Sequence, residues 1–201
     1  MLSFRNIVFI AVILITSICF AGPELKYGMG WSPKIGVEYP SEYAYFPESE
    51  TLYDEFSPEL SILWDFGSIS IGPRMAFLTA RENFTGGNYN SMTTWLFGGE
   101  FIYNFEMNET GEWLFPIILS TSFADIKYTH KSALANVDFD GTGWSIGFML
   151  GVERFWENRL SLGFILGGRM LKTELSNPNW DIPPKIAGSS WRFEVFGRWR
   201  P

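Results

Sequence analysis

Cysteine and histidine are nearly missing from this chain: 201 residues hold one of each, Cys19 and His130. Cys19 lies in the N-terminal apolar segment, so removal of that segment leaves a chain with no cysteine. A disulfide framework and a thiolate metal site are then both excluded. Basic residues are also short, 15 Lys and Arg against 22 Asp and Glu. Nucleic-acid binding rests on basic patches, and this balance argues against it. Long apolar runs are the third absence. After Ile15 nothing approaches the roughly 18 consecutive apolar residues of a transmembrane helix. Yet Phe, Trp and Tyr make up 18% of the chain, and a structure must place them somewhere.

Residues 1–21 read as a secretory signal peptide. Arg5 supplies the positive start, Ile7 to Ile15 the apolar stretch, and Cys19-Phe20-Ala21 a cleavage point before Gly22. A lipoprotein signal requires a small residue before its cysteine, and Ile18 is not one. Loss of the leader removes Arg5 and leaves 14 basic against 22 acidic residues, a net charge of −8. Residues 22–201 are expected to form one domain.

That domain alternates with period two. From Leu25 the odd positions read Leu25, Tyr27, Met29, Trp31, Pro33, Ile35, Val37 and Tyr39; the even ones read Lys26, Gly28, Gly30, Ser32, Lys34, Gly36 and Glu38. Such alternation is a strand between two different environments. Its length exceeds the usual 5–6 residues or so of a globular strand and suits a tilted strand that crosses a bilayer. The pattern recurs at 56–66, 69–77, 95–105, 113–123, 144–152, 160–170 and 191–199. The sequence therefore predicts an all-β chain, an eight-stranded antiparallel up-and-down transmembrane β-barrel. Short turns are expected at 67–68, 107–111 and 157–159, and long loops at 40–54, 81–92, 126–141 and 173–189. Short on one side and long on the other is the asymmetry of outer-membrane barrels. With this threading, Trp64, Trp113, Trp156 and Trp199 fall at the periplasmic end and Trp95, Trp144 and Trp191 at the outer end. Two aromatic girdles are implied, at the level of the lipid headgroups.

A soluble barrel also alternates, with its apolar face inward. Here the polar face is dense in glycine and serine, such as Gly28, Gly30, Ser120, Ser122, Gly147 and Gly163. Small residues suit a crowded interior, and the bulky face would not fit inside eight strands. The same inner face carries Lys26, Lys34, Glu38, Arg74, Glu100, Glu153, Arg169, Arg192, Glu194 and Arg198. Buried charges require partners, so a closed interior filled by small residues and ion pairs is expected. Eight strands leave no aqueous channel, which disfavours a small-solute pore.

Motifs for chemistry are sparse. In Tyr128-Thr129-His130-Lys131-Ser132 the histidine and serine would point the same way on an extended segment, as a base and nucleophile must. The segment resembles the His-x-Ser-Asn motif of lipid A deacylases, which are also eight-stranded outer-membrane barrels. Ala133 stands here where that motif has asparagine. No orienting carboxylate or oxyanion motif accompanies His130 and Ser132, so a solvated loop histidine is the plainer expectation, and a lipid-modifying hydrolase is the alternative. Segment 40–54 and the adjoining Glu55 interleave Glu42, Glu48, Glu50, Asp54 and Glu55 with Tyr43, Tyr45, Phe46 and Tyr53; 40–54 and 173–189 are candidate loops for an extracellular ligand. Asp138-Phe139-Asp140-Gly141 reads as a turn and lacks the later ligands of a calcium loop. No cofactor or metal site is expected.

The eight-strand spacing, the girdles and the closing strand Trp191 to Trp199 resemble the small outer-membrane β-barrel family, the OmpA/OmpX-like group. That resemblance implies a Gram-negative outer-membrane location, lipid and lipopolysaccharide as surroundings, assembly by the barrel-insertion machinery, a monomer, and a structural or surface-interaction role. Family members usually end on an aromatic residue; Arg200 and Pro201 follow Trp199 here.

Overall fold

The computed structural model describes residues 22–38, 49–83, 89–131, 136–156, 159–179 and 185–201, without the side chains of 33–38, 49–55 and 187. The leader, Ser132 and the side chains of Lys34, Glu38 and the acidic residues of segment 40–54 lie outside what is described. Eight strands follow in chain order: β1 Pro23–Glu38, β2 Ser49–Asp65, β3 Ile69–Asn83, β4 Tyr89–Glu106, β5 Trp113–Lys131, β6 Asn136–Trp156, β7 Leu160–Ser176 and β8 Lys185–Trp199. Each pairs antiparallel with the next, and β1 pairs with β8, which closes the barrel. The closing register runs from Leu25 opposite Trp199 to Trp31 opposite Phe193.

The turns at one end follow from local chemistry. Gly67 adopts φ 85° and Gly111 φ 68°, both in the left-handed region that a side chain disfavours. The Asp65 side chain accepts a hydrogen bond from the Gly67 N–H at 2.9 Å, and Asn108 accepts from the Trp113 N–H at 3.1 Å. Aspartate and asparagine stabilise turns in this way.

Between these turns and the level of Trp95 the barrel is apolar outside. Phe148, Leu166, Phe164, Ile146 and Phe123 stand exposed on its wall. The tryptophans sit at the two ends of this belt, Trp64 half-buried and Trp113, Trp156, Trp199, Trp95, Trp144 and Trp191 exposed. Strands of 15 to 21 residues are longer than a crossing of about 9–11 needs, and the excess lies beyond the outer tryptophans.

Here the structure departs from the sequence reading. Segments 40–54, 81–92, 126–141 and 173–189 are not long loops throughout: β2 starts at Ser49, β3 runs to Asn83, β4 starts at Tyr89, β5 runs to Lys131, β6 starts at Asn136, β7 runs to Ser176 and β8 starts at Lys185. Likewise Asp138 to Gly141 is no turn; it pairs with 126–129 on β5, and Asp140 and Gly141 pair with Ser176 and Leu175 on β7. The cause is an inversion of faces. On β5 the outward residues change from Leu119 and Phe123 to Asp125, Lys127 and Lys131, while the buried ones become Ile126 and Tyr128. On β6 and β7, Asp138, Asp140 and Glu174 point out, and Phe139, Leu171 and Leu175 point in. Beyond the outer tryptophans the wall is that of a water-soluble barrel.

The outward assignment is checked at the middle of the belt. Phe148→Arg and Phe101→Arg are expected to cost about 2–4 kcal/mol, against about 0–1 kcal/mol for Trp156→Arg at the rim. Guanidinium unfolding of vesicle-inserted protein measures both.

Candidate functional site

The interior is built in layers, and each strand carries the layers in its own sequence. On β8 the inward order is Arg192, Glu194, Phe196, Arg198; on β4 it is Glu100, Ile102, Asn104; on β2 it is Glu59, Ser61, Leu63. Antiparallel pairing aligns these runs, so charge meets charge and methyl meets methyl.

The layer nearest the short turns centres on Arg198. Its Nε donates to Glu153 at 2.7 Å and its Nη2 to Asn104 at 3.0 Å, and Glu24 lies 3.3 Å from Nη1. The Ser161 hydroxyl donates to Glu153 and accepts from the Arg198 backbone N–H at 3.0 Å. Arg200 closes this end. It pairs with Glu24, stands 3.2 Å from Asp65, and lies over the Phe155 ring at 4.3 Å. Arg200 is thus a latch across the mouth of the barrel. A polar recess of about 430 Å³ opens there beside Asp65, Asn104, Glu106, Phe155 and Arg200.

Next comes an apolar plug of Leu63, Ile102, Ile118, Met149, Ile165 and Phe196. Above it lies the main charge network. Lys26 stands 2.9 Å from Glu59, 2.6 Å from Glu100 and 3.2 Å from Glu194. Arg74 pairs with Glu59, and Arg192 reaches Glu59 and Glu194, each at 3.1 Å. The Ser61 hydroxyl donates to Glu100, and Arg192 donates to the Ser57 hydroxyl at 2.8 Å. Three cations face three carboxylates, so the cluster is neutral by count. Gly28 and Gly30 make room for it: a Cβ on Gly28 would strike the Glu194 carboxylate, and one on Gly30 the Arg192 guanidinium.

Of the charges expected inside, Lys26, Arg74, Glu100, Glu153, Arg169, Arg192, Glu194 and Arg198 are all buried. Glu24 and Glu59 are buried partners that the sequence reading missed. Glu59 alone meets three cations, and its place on the inward phase of β2 was a signal available in the sequence. The interior is also less polar than expected. Besides the lower plug, a second apolar cluster fills the outer end, with Leu78, Met92, Leu96, Tyr128, Phe139 and Leu171 among its members.

His130 is a correction. It is not a solvated loop residue but lies on β5, buried, with Nδ1 2.7 Å from the Asn90 side-chain oxygen. The inversion of faces turns it into the barrel. Burial pushes its imidazole below the ordinary value of 6.5. Among the described residues, no His, Cys, Asp and Glu side chains group as a metal site.

No family model and no curated protein matches this chain. Solved structures do. Neisserial surface protein A (NspA) matches with a TM-score of 0.53 at 11% identity, over 90% of this chain and 98% of NspA. A major outer membrane protein from Thermus thermophilus matches at 0.49 and 9%, over 90% and 99%. Ail, the attachment invasion locus protein of Yersinia pestis, matches at 0.44 and 11%, over 89% and 99%. With NspA the chain shares its fold. It has the architecture of the small outer-membrane β-barrels.

Two outcomes test the interior. Glu59→Ala leaves three cations short of a carboxylate, and removal of one partner from a buried pair costs about 3–5 kcal/mol. Exposed Glu112→Ala should change stability by no more than about 0.5 kcal/mol; denaturant titration compares the two. For His130 the folded ring resists a proton that the unfolded chain accepts below about pH 6.5. Stability should therefore fall as pH drops from about 7 toward about 5, and His130→Gln should remove that part of the slope.

Proposed function

We propose that the chain is an outer-membrane protein without enzymatic activity, with a structural or surface-interaction role. Residues 1–21 direct export and are removed, the barrel-insertion machinery places residues 22–201 in the membrane, and the protein works as a monomer among outer-membrane lipids and lipopolysaccharide. One observation carries this reading: the wall inverts from apolar-outside to polar-outside at the outer tryptophans. A wall built this way holds a rigid, water-facing collar above the bilayer, where Lys127, Lys131, Asp138, Asp140 and Glu174 face outward. The strand ends of that collar carry the segments between β1 and β2 and between β7 and β8, which remain the candidate contacts for an extracellular ligand. Two apolar clusters and two ion-pair layers stack across the interior, which supports a plug rather than a channel.

The mature chain has no cysteine once the leader is gone, so single cysteines report topology cleanly. Asp138→Cys should react with a membrane-impermeant maleimide on intact cells, and Thr110→Cys, on a short turn, only after lysis. Folded protein should migrate differently on a gel when unheated, and should give no single-channel steps in planar bilayers. Equal labelling at both sites, or steady conductance, would overturn the proposal.

A further inference from the structure

Arg154 is a cation on the outer face of the barrel, at the short-turn end. Its neighbours in sequence, Glu153 and Phe155, point inward: Glu153 pairs with Arg198, and the Phe155 ring lies under Arg200. Alternation then sends Arg154 outward, where it is exposed. The rest of that face of β6 is apolar, with Ile146, Phe148, Val152 and Trp156 all exposed.

Register fixes the level of this cation. Arg154 pairs with Trp113 on β5 and with Leu162 on β7. Just beyond, the Phe155 N–H donates to the Glu112 carbonyl at 2.8 Å. Trp113 opens β5 and Trp156 closes β6, so both stand at the short-turn rim of the belt. The guanidinium carbon of Arg154 lies 5.3 Å from the Trp113 ring centroid and 5.6 Å from that of Trp156. Both distances are within the reach of about 6 Å for cation–π attraction. Two indoles on neighbouring strands thus hold one guanidinium at the headgroup level.

The rings leave the hydrogen-bonding capacity of Arg154 unused. An indole N–H donates only, and a guanidinium has five donors and no acceptor. Among the described residues Arg154 makes no ion pair and donates no hydrogen bond. A planar fork of this kind matches the oxygens of a phosphate. Nearer the middle of the belt, about 7 Å along the strand, Val152 pairs with Phe164. Val152, Leu162 and Phe164 are exposed there, so apolar wall begins directly inside the cation.

From this cation held between two indoles, with apolar wall on its membrane side, we infer that Arg154 binds the phosphodiester of one anionic glycerophospholipid in the leaflet on the short-turn side. The phosphate oxygens accept from the guanidinium. An acyl chain runs along Val152, Leu162 and Phe164. A zwitterionic headgroup binds less well, because its own ammonium is repelled by Arg154 and already neutralises its phosphate. The site rests on the membrane reading given above and adds to it a lipid class and an address on the barrel.

Native mass spectrometry of the refolded barrel tests this by titration with dioleoyl phosphatidylglycerol or dioleoyl phosphatidylcholine, which share their chains and differ in net headgroup charge. The wild-type protein should retain one phosphatidylglycerol with about fivefold preference, as one cation at an anionic lipid surface supplies. Arg154→Gln should bring the two lipids to equal retention. Trp113→Leu with Trp156→Leu keeps the charge but frees the side chain, and should lower the preference. Lys127→Gln, on the collar, should leave it unchanged. Heat-dependent gel migration certifies that each variant is folded. Equal retention by the wild type, a preference that survives Arg154→Gln, or one that falls as far in Lys127→Gln would overturn the site and leave the membrane reading intact. Failure of the wild-type chain to insert into vesicles of either lipid would overturn both.

Discussion

The pairing of β1 with β8 is the constraint from which the other features follow. In hydrocarbon an unpaired backbone N–H or C=O costs several kcal/mol, so a sheet is tolerated there only when it has no edge. Leu25 to Trp31 on the first strand meets Phe193 to Trp199 on the last, which removes both edges at once. Closure then fixes the size of the interior, and eight strands enclose only enough space for side chains. Each inward residue must therefore fit the others, and this is why Gly28 and Gly30 lie where Glu194 and Arg192 cross.

Within that space, charge is arranged by balance rather than by strength. A buried ion pair adds little net stability, because desolvation offsets most of the attraction, but a buried charge left alone is strongly destabilising. The layers respect this. Lys26, Arg74 and Arg192 face Glu59, Glu100 and Glu194, and Arg198 with Arg200 faces Glu24 and Glu153. The apolar plug between them separates the two networks, and the Lys26 ammonium rests 5.2 Å from the Phe196 ring that belongs to that plug. Such pairing also favours one register, since a slip of one residue would send a charge into the lipid face.

Much of the fold was legible in the chain because a period of two survives any tertiary arrangement. The eight strands, their order, the short turns at 67–68 and 107–111 and the outward tryptophans could be read from the sequence. So could most of the inward charges, because phase along a strand decides the face. The collar could not. At Asp125 and again at Thr142 the alternation continues, but apolar residues change from the outward to the inward phase. A reading that followed apolar residues on one phase saw strands end where they go on, and it placed His130 in a loop.

A barrel with an apolar belt was therefore already written into the order of residues, because side chains on a strand alternate whatever surrounds them. Which solvent each half of the wall meets, which carboxylate each inward cation finds, and that Arg200 latches the mouth beyond the last strand were settled in three dimensions. Those features depend on contacts between residues far apart in the chain, such as Arg192 with Glu59 across 133 positions. A local pattern specifies the direction of a side chain, whereas its partner and its medium are set when the sheet closes.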